Sequence, residues 1–290
     1  MNSRTVSGKR YQYIAAMAYT IAVMALLVWS IGPVAWSFIV SIMPQVEMQT
    51  TPASLWPAHP TLENYRMLLM SGGDDQGALF RKGMTNALIA ATLSVLVTVP
   101  ISAIGAYALT RMRFRGREAI RIGLLITLII PVFATIIPLY QMFAAWGLLD
   151  TFIGVVAVYV SAFLPLTVWL ISSYFVTLPK ELEEAAMADG CSELRALWSV
   201  ILPSSYPVLL SAALIVFLSA WNQFLIPLIL SPSPATKPVA VVASEFVTKT
   251  TMNYGLMNAG GVLAVLPPAI IALVFRRFLV QGLVAGATKG

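Results

Sequence analysis

One charged segment stands out in a chain that is otherwise apolar. The segment Glu184-Ala185-Ala186-Met187-Ala188-Asp189-Gly190 is followed, after nine residues, by Val200-Ile201-Leu202-Pro203. With only one histidine and one cysteine in the chain, these carboxylates cannot belong to a His- or Cys-based metal cluster or to a His-based catalytic triad. Small side chains at the centre of a helix allow it to sink into a groove on a partner. The segment therefore predicts a docking surface rather than a reaction centre.

The remaining sequence lacks the groups that nucleotide, metal or triad chemistry requires. No Gly-x-x-x-x-Gly-Lys-[Ser/Thr] sequence occurs, so this chain has no recognisable ATP site. His59 is the only histidine, and its setting between Pro57 and Pro60 predicts an ordinary loop residue. Cys191 is the only cysteine, which excludes an intramolecular disulfide. We therefore assign no catalytic residue, no metal site and no cofactor to this chain.

The elements that position the charged segment are predicted from where the charges are missing. Hydrophobic residues make up 59% of the chain and charged residues only 10%, against about 25% charged in soluble domains. Six uncharged runs each exceed the roughly 20 residues that cross a bilayer as a helix, and unpaired backbone groups are too costly in lipid for any open sheet. We expect an all-α polytopic membrane protein, one domain over residues 1–290, with six transmembrane helices. These spans are predicted at about 14–41, 84–109, 122–146, 152–176, 207–230 and 257–278.

The distribution of basic residues predicts the orientation of these spans. With six crossings both termini lie on the same side, and cytoplasmic loops carry the excess of Lys and Arg. Thirteen of the eighteen basic residues fall in the termini, the second connection and the fourth connection. Both termini are therefore expected in the cytoplasm, together with the charged loop, which we define as residues 178–203. The net charge of +6 reflects this topology and not nucleic-acid binding.

Within the charged loop, the residue types predict two short helices joined by a turn. Pro179 suits a first helical turn, where its missing N–H costs nothing, and three glutamates follow near the positive end of the helix dipole. Gly190 can adopt the left-handed conformation that ends a helix. Ser192 is a typical N-cap for a second helix through Leu197. One face of the first helix is expected to carry Leu182, Ala185, Ala186 and Asp189.

A second cluster of interest is polar but uncharged and lies near the end of the fifth predicted span. It contains Ser219, Trp221, Asn222 and Gln223. Such side chains can line a pathway for a polar solute, since sugars bind through hydrogen bonds and ring stacking. They can equally form hydrogen bonds between packed membrane helices. Both interpretations stay open from the sequence, while the absence of Asp, Glu and His from the spans argues against an ion-driven carrier.

The pattern of the charged segment resembles the coupling loop of ABC-importer permeases, in which the sequence Glu-Ala-Ala, three residues and Gly is followed by a hydrophobic-x-Leu-Pro sequence. Further segments resemble the carbohydrate-uptake permeases of the maltose type. These segments are Asn86-Ala87-Leu88, residues 106–116, Ile137-Pro138-Leu139-Tyr140, residues 147–151, residues 221–225 and the C-terminal tail at residues 282–290.

The resemblance implies a type I ABC-importer permease fold with cytoplasmic coupling helices. Such a chain would pair with a second homologous permease and two ABC ATPase subunits, which hold the ATP and Mg²⁺. An extracytoplasmic solute-binding protein would deliver a sugar or oligosaccharide, and the setting would be a bacterial or archaeal plasma membrane. The ATPase-coupling residues carried over are Glu184, Ala185, Ala186, Asp189, Gly190, Leu202 and Pro203. The tail residues expected to contact the ATPases are Gly286, Ala287, Lys289 and Gly290.

Three alternatives remain at this stage. The first is a permease of an ABC importer for another solute, such as an amino acid, phosphate or polyamine. The second is an ion-driven secondary carrier or a channel, which would transport without ATP or partner subunits. The third is a structural membrane subunit without a pathway, in which substitutions around Asn222 would leave transport intact.

Overall fold

The computed structural model describes residues 4–48, 55–70, 76–246 and 253–287, and every regular element in these ranges is helical. The helices are α1 (Arg4–Ser41), α2 (Gln45–Met48), α3 (Glu63–Met70), α4 (Gln76–Arg111), α5 (Arg117–Thr127), α6 (Val132–Ala145), α7 (Phe152–Phe175), α8 (Glu181–Ala188), α9 (Glu193–Ala196), α10 (Leu202–Ser204), α11 (Tyr206–Trp221), α12 (Leu225–Leu230), α13 (Val239–Glu245) and α14 (Tyr254–Ala287), with a π-helical turn at Leu197–Ile201 between α9 and α10.

The chain divides into two compact units. The first comprises Met1–Ser71 and Phe246–Leu263, and the second comprises Gly72–Glu245 and Ala264–Gly290. The first unit contains α1, α2, α3 and the beginning of α14, and the second contains the charged loop and the remaining helices.

Four helices in the described residues are long and apolar enough to cross a membrane: Ala15–Ser41 within α1, α4, α7 and Tyr254–Arg277 within α14. A fifth candidate consists of two segments, Glu193–Ser204 and Tyr206–Trp221, that meet at 79°. Helix α7 (Phe152–Phe175) coincides with the span expected at 152–176. Helices α1, α4 and α14 extend beyond their predicted bounds; in α1 and α4 the added turns contain charged residues that lie outside the apolar windows.

The third predicted span, at 122–146, is not one continuous helix. It is divided into α5 and α6 by Leu128–Pro131. Proline has no N–H and disfavours a helical residue before it, and Pro131 itself is extended, with φ −70° and ψ 127°. In the interruption, the N–H groups of Leu128 and Ile129 bond three residues back, to Leu125 and Ile126. The single-helix prediction was wrong here because it counted apolar residues without weighing this proline.

The fifth predicted span, at 207–230, is also interrupted. Helix α11 ends at Trp221, and α12 begins only at Leu225. The side-chain amide of Asn222 turns back and donates to the Leu218 carbonyl at 2.9 Å. An amide that competes in this way for backbone acceptors favours helix ends, so the polar residues themselves account for the break.

Helix α4 lies at the centre of the second unit, where it packs mainly against α7 and α11. Small residues make this close approach possible. Ala91, Ser94, Thr98, Ser102 and Ala106 recur every three or four positions and are each fully buried.

One end of α4 is fastened to the segment between α12 and α13, residues 231–238. The Asn86 side-chain amide donates to the carbonyl oxygens of Pro234 and Lys237, at 3.1 and 3.0 Å. The same segment is tied to the turn before α7, because Asp150 accepts hydrogen bonds from the hydroxyls of Ser233 and Thr236. Asp150 has a positive φ of 56°, and its N–H donates to the Leu230 carbonyl at 2.8 Å.

In the first unit, hydrogen bonds between side chains and backbone groups stabilise the connection that follows α1. Asn64 donates to the Ser41 carbonyl at 2.9 Å, and the Glu47 carboxylate accepts from the backbone N–H groups of Ala58 and His59. His59 is exposed in an irregular segment, as predicted from its neighbouring prolines.

Candidate functional site

The charged loop forms two short helices and a turn, as its residue types predict. Helix α8 ends at a turn in which Gly190 has φ +88°, a conformation that costs glycine little. The Cys191 N–H bonds to the Ala186 carbonyl across this turn at 3.0 Å. Ser192 then caps α9, since its hydroxyl accepts from the Arg195 N–H at 3.4 Å. One hydrogen bond at the end of α8 and one at the beginning of α9 thus stabilise the turn between the two helices.

The predicted bounds of both helices need correction. Pro179 precedes the first helix and does not lie in its first turn, because Lys180 is the N-cap and its carbonyl accepts from Glu183 and Glu184, each at 3.0 Å. The second helix stops at Ala196 and widens into the π-helical turn, where the Leu202 N–H bonds back to the Leu197 carbonyl. Pro203 has no N–H to continue the regular pattern.

Two prolines also explain how the loop enters α11. Pro203 lies within α10 and Pro207 within the first turn of α11. Because Pro207 cannot donate to the carbonyl four residues back, the helix breaks at Ser205, and the axis turns by 79°. The Leu209 N–H resumes the ladder at the Ser205 carbonyl, at 3.1 Å.

The inner face of α8 is anchored by a buried carboxylate. Glu183 accepts a hydrogen bond from the Tyr107 hydroxyl, and its other oxygen lies 3.8 Å from Nε of Arg111. The side chains of Arg111 and Glu183 are only 6% and 11% exposed. The Tyr107 hydroxyl also approaches the Glu193 carbonyl at 3.3 Å, at the beginning of α9. Tyr107, near the end of α4, therefore contacts both helices of the loop.

Arg111 additionally ties the end of α7 to this anchor. Its guanidinium donates to the Phe175 carbonyl at 2.8 Å and to the Leu178 carbonyl at 2.7 Å. The last carbonyls of a helix have no partner within that helix, and a cation at this end also complements the helix dipole. Arg111 thus caps α7 while pairing with Glu183.

The second half of the loop is anchored by apolar packing. Leu197 and Ile201 of the π-helical turn are fully buried in a cluster with residues of α4, α7 and α11. Burial of such side chains stabilises by about 1.5–3 kcal/mol each. The members of this cluster are Ala103, Ala106, Tyr107, Leu170, Ile171, Phe175, Leu197, Ile201, Val208 and Ala212.

The outer face of the loop is exposed and mixes charge with large apolar side chains. Glu184, Ala185, Asp189 and Gly190 are exposed, whereas Ala186 is 8% exposed and faces the anchor. The expectation that both alanines share the docking face with Leu182 is therefore wrong for Ala186. Four large apolar side chains of the loop are between 40 and 65% exposed: Leu182, Met187, Leu194 and Trp198.

Near the end of the loop, the two remaining candidates differ in exposure. Leu202 is half-buried and packs against the apolar cluster, while Pro203 is exposed. A polar cavity of about 410 Å³ lies between the loop and the end of α4, and its lining includes Arg113, Lys180 and Glu184. The site thus combines a fixed inner face with an exposed outer face that carries both charged and apolar side chains.

The structure separates the residues of the second candidate cluster. Trp221 is 4% exposed and donates its indole N–H to the Ala264 carbonyl at 3.1 Å, so it connects helices instead of lining an open surface. Asn222 is exposed, and Ser219 and Gln223 are half-buried. Of the tail residues, Gly286 and Ala287 belong to the last turn of α14, and Lys289 and Gly290 lie outside the described residues.

Sequence reasoning missed the three residues that fix the loop. Tyr107 and Glu183 are 76 residues apart, and each belongs to a segment with several similar side chains. The available signal was that Glu183 and Ala186 lie one turn apart on the same face of α8. When a carboxylate shares a helix face with a small buried residue, it is expected to face the protein interior and to need a partner there.

Comparison with known proteins places these features in context. The family model described as "Binding-protein-dependent transport system inner membrane component" matches residues 98–284, a range that includes the whole charged loop.

Similar relatives cover nearly the full chain. The trehalose/maltose transport system permease protein MalG of Thermococcus litoralis is 33% identical over 282 residues, which are 97% of this chain and 99% of that one. The trehalose transport system permease protein SugB of Mycobacterium tuberculosis is 32% identical over 291 residues, covering 98% and 100% of the two chains. The sulfoquinovosyl glycerol transport system permease protein SmoH of Agrobacterium fabrum is 30% identical, covering 98% and 95%.

The fold is that of a solved transporter chain. A bacterial ABC transporter that imports the acidic polysaccharide alginate matches with a TM-score of 0.80 and 22% identity, covering 92% of this chain and 97% of the solved one. The all-helical architecture of this chain is thus the ABC-importer permease fold.

Proposed function

Since the chain belongs to the family of binding-protein-dependent transport system inner membrane components, it is a multi-pass membrane transport subunit and not an enzyme, and we propose that it translocates a sugar or oligosaccharide with energy received through the charged loop. The observation that carries the coupling role is the two-sided construction of α8. Adjacent carboxylates point in opposite directions: Glu183 is buried against Tyr107, and Glu184 is exposed. A partner can engage the outer face without disturbing the contacts that hold the inner face.

The proposed partners follow from the family and from the shape of the loop. Two ABC ATPase subunits bind ATP and Mg²⁺, and one of them receives the outer face of α8 and α9 in a groove. Exposed Leu182, Leu194 and Trp198 are suited to such a groove, because apolar side chains at the centre of a contact contribute most of its affinity. A second, homologous permease completes the membrane part.

The proposed topology has six spans, formed by α1, α4, α5 with α6, α7, α11 with α12, and α14. In this arrangement the third and fifth spans are interrupted helices, a construction that membranes tolerate where protein or a water-filled cavity surrounds the break. Both termini and the charged loop face the cytoplasm. They lie on the same side of the membrane as the arginines between α4 and α5, and cytoplasmic segments carry the excess of basic residues.

The solute class rests on the relatives. Two of the similar proteins are named for trehalose or maltose and a third for sulfoquinovosyl glycerol. An extracytoplasmic binding protein delivers such a solute, which then passes the interruption between α11 and α12. There Asn222 and Gln223 offer amide groups for hydrogen bonds to hydroxyls. Trp221 supports this site by packing and not by contact with the solute.

In the proposed cycle, binding of ATP closes the two ATPase subunits and draws their grooves together. Each groove carries a loop with it, so the spans attached to that loop shift and the solute cavity opens outward. Hydrolysis then returns the ATPases, the loops and the spans to their first positions. Only a loop with a rigid inner attachment transmits such a displacement, because a mobile one would absorb it.

The test is the ATPase activity of the co-purified complex with and without Glu184→Arg plus Gly190→Pro in this chain. We expect the binding protein, loaded with trehalose or maltose, to stimulate the wild-type complex, and the double variant to lose the stimulation or its ATPase. A double variant that assembles, is fully stimulated and still transports would contradict the coupling role. Transport by the permease without ATP would instead support an ion-driven carrier.

A further inference from the structure

We infer that Glu183 is a positioning residue that makes α8 move together with the ends of α4 and α7, so that displacement of the charged loop reaches two spans at once. This inference rests on the proposed function, because it concerns how a coupling loop is attached to the spans. Glu183 lies on the protein side of α8 and is 9% exposed, so it cannot belong to the docking face.

The first observation is the number of elements that meet at this carboxylate. Tyr107 and Arg111 occupy the last two turns of α4, and both contact Glu183. Arg111 at the same time holds the Phe175 and Leu178 carbonyls at the end of α7. Helix α4 is therefore attached to Glu183 directly, and the end of α7 is attached to it through Arg111.

The second observation is burial of the whole group. Tyr107 is 3% exposed, and the side chains of Arg111 and Glu183 are 6% and 11% exposed. Hydrogen bonds to a charged group are stronger than neutral ones, and a buried charge that loses its partner is heavily penalised. Tyr107 donates to the buried carboxylate, and Arg111 Nε lies 3.8 Å from its other oxygen, so moving α8 away from α4 would leave a buried carboxylate without these partners.

The third observation is that the loop has a separate apolar attachment. Leu197 and Ile201 are fully buried against α4, α7 and α11. Removing the Glu183 contacts therefore leaves the second half of the loop in place and loosens the attachment of α8 to α4. We expect the corresponding variants to assemble and to lose stiffness between α8 and α4.

The test compares Glu183→Gln and Tyr107→Phe with the control Glu181→Gln, an exposed carboxylate on the same helix. Cys191, which is free, is replaced by serine, and spin labels are placed at Met112→Cys after α4 and at Ala188→Cys, the exposed last residue of α8. The spin–spin distance is measured in the co-purified complex, first without nucleotide and then trapped with ATP, Mg²⁺ and vanadate. ATP hydrolysis and uptake of trehalose are measured in parallel in vesicles.

We expect one narrow distance, equal in both states, in the parent and in Glu181→Gln. We expect a broadened distance in Glu183→Gln and Tyr107→Phe, with several-fold less trehalose taken up per ATP hydrolysed. A parent distance that changes between the two states overturns the inference, as does an unchanged distance in both variants. If Glu183→Gln does not assemble, Tyr107→Phe decides, because it removes one oxygen and keeps the ion pair.

These outcomes are separable from failure of the proposed function. If the parent chain binds no ATPase, the coupling role fails, and the label distances in the chain alone still show whether Glu183 fixes α8 on α4. If the parent complex transports with ATP but the variants behave as Glu181→Gln does, the proposed function stands and the role of Glu183 is wrong.

Discussion

The Trp221 indole donates to the Ala264 carbonyl at 3.1 Å, and Ala264 is the residue whose helical partner is missing because Pro268 has no N–H. A proline inside a helix deprives the carbonyl four residues back of its donor, and Pro268 lies inside α14. In a membrane such a carbonyl must find another donor. Trp221 supplies it from α11.

Replacement of Trp221 by phenylalanine keeps the ring but removes the donor. We expect Trp221→Phe to lower the free energy of unfolding by about 1 kcal/mol, since a membrane hydrogen bond contributes about that much and the Ala264 carbonyl is left unpaired. Thermal unfolding of the purified complex measures the effect. Trp169→Phe is the matched control, because Trp169 is 52% exposed; equal losses in both variants would contradict this role of Trp221.

Gly154 lies in the first turn of α7, where no larger residue fits. A methyl group there would lie 2.2 Å from the Leu148 carbonyl oxygen. We expect Gly154→Ala to destabilise the protein by about 1–3 kcal/mol through overpacking. Gly105→Ala in α4 is the control: its methyl would lie 3.7 Å from Val168, an ordinary contact, and alanine favours a helix by about 0.5–1 kcal/mol. Melting temperatures that fall equally in the two variants would show that the clash with Leu148 is not the cause.

Gly190 is required for its backbone conformation and not for lack of space. Its φ is +88°, and an added methyl group would have no atom within 4 Å. Gly190→Ala is expected to cost about 1 kcal/mol from left-handed strain, and Gly190→Asn less, because asparagine tolerates this conformation. Stimulated ATPase activity should fall in the same order. If the alanine and asparagine variants have the same stability and the same stimulated ATPase activity, left-handed backbone strain is not the reason that Gly190 is required.

Asp150 holds the segment 231–238 by two hydroxyl hydrogen bonds, from Ser233 and Thr236. Asp150→Asn retains one acceptor oxygen and tolerates the positive φ, so we expect a loss of about 1 kcal/mol. Asp150→Ala loses both bonds and strains the backbone, and its loss should be at least twice as large. Limited proteolysis of segment 231–238 and the melting temperature distinguish Asp150→Asn from Asp150→Ala. The control Asp189→Asn, at an exposed position, should change neither the rate of proteolysis nor the melting temperature.

The sequence predicts most of this fold wherever a local property decides. Uncharged runs indicate the spans, and the left-handed Gly190 and the N-cap Ser192 follow from the conformations their residue types favour. The interruptions at Pro131 and after Trp221 were missed, because a run of apolar residues shows length but not continuity. Single prolines and amides decide continuity through individual hydrogen bonds.

The inner half of the candidate site could not be predicted in the same way. Glu183 and Glu184 are identical in type and adjacent, and only the tertiary packing of α4 against α7 gives one of them a buried tyrosine and arginine. The pairing of Trp221 with Ala264 likewise depends on which helix lies beside α14. Residue types identify groups that need a partner, and the fold alone selects the partner.

Helix α4 is held at two points, by Asn86 near one end and by Tyr107 near the other. These residues are 21 positions apart in the sequence, about 32 Å along a helix that rises 1.5 Å per residue, close to the roughly 30 Å of a bilayer's hydrocarbon core. Inserting or deleting one residue between them would rotate one anchor by about 100° relative to the other. The exposed positions of α4 can accept exchanges of one apolar residue for another, but the number of residues between the two anchors cannot change without releasing one of them.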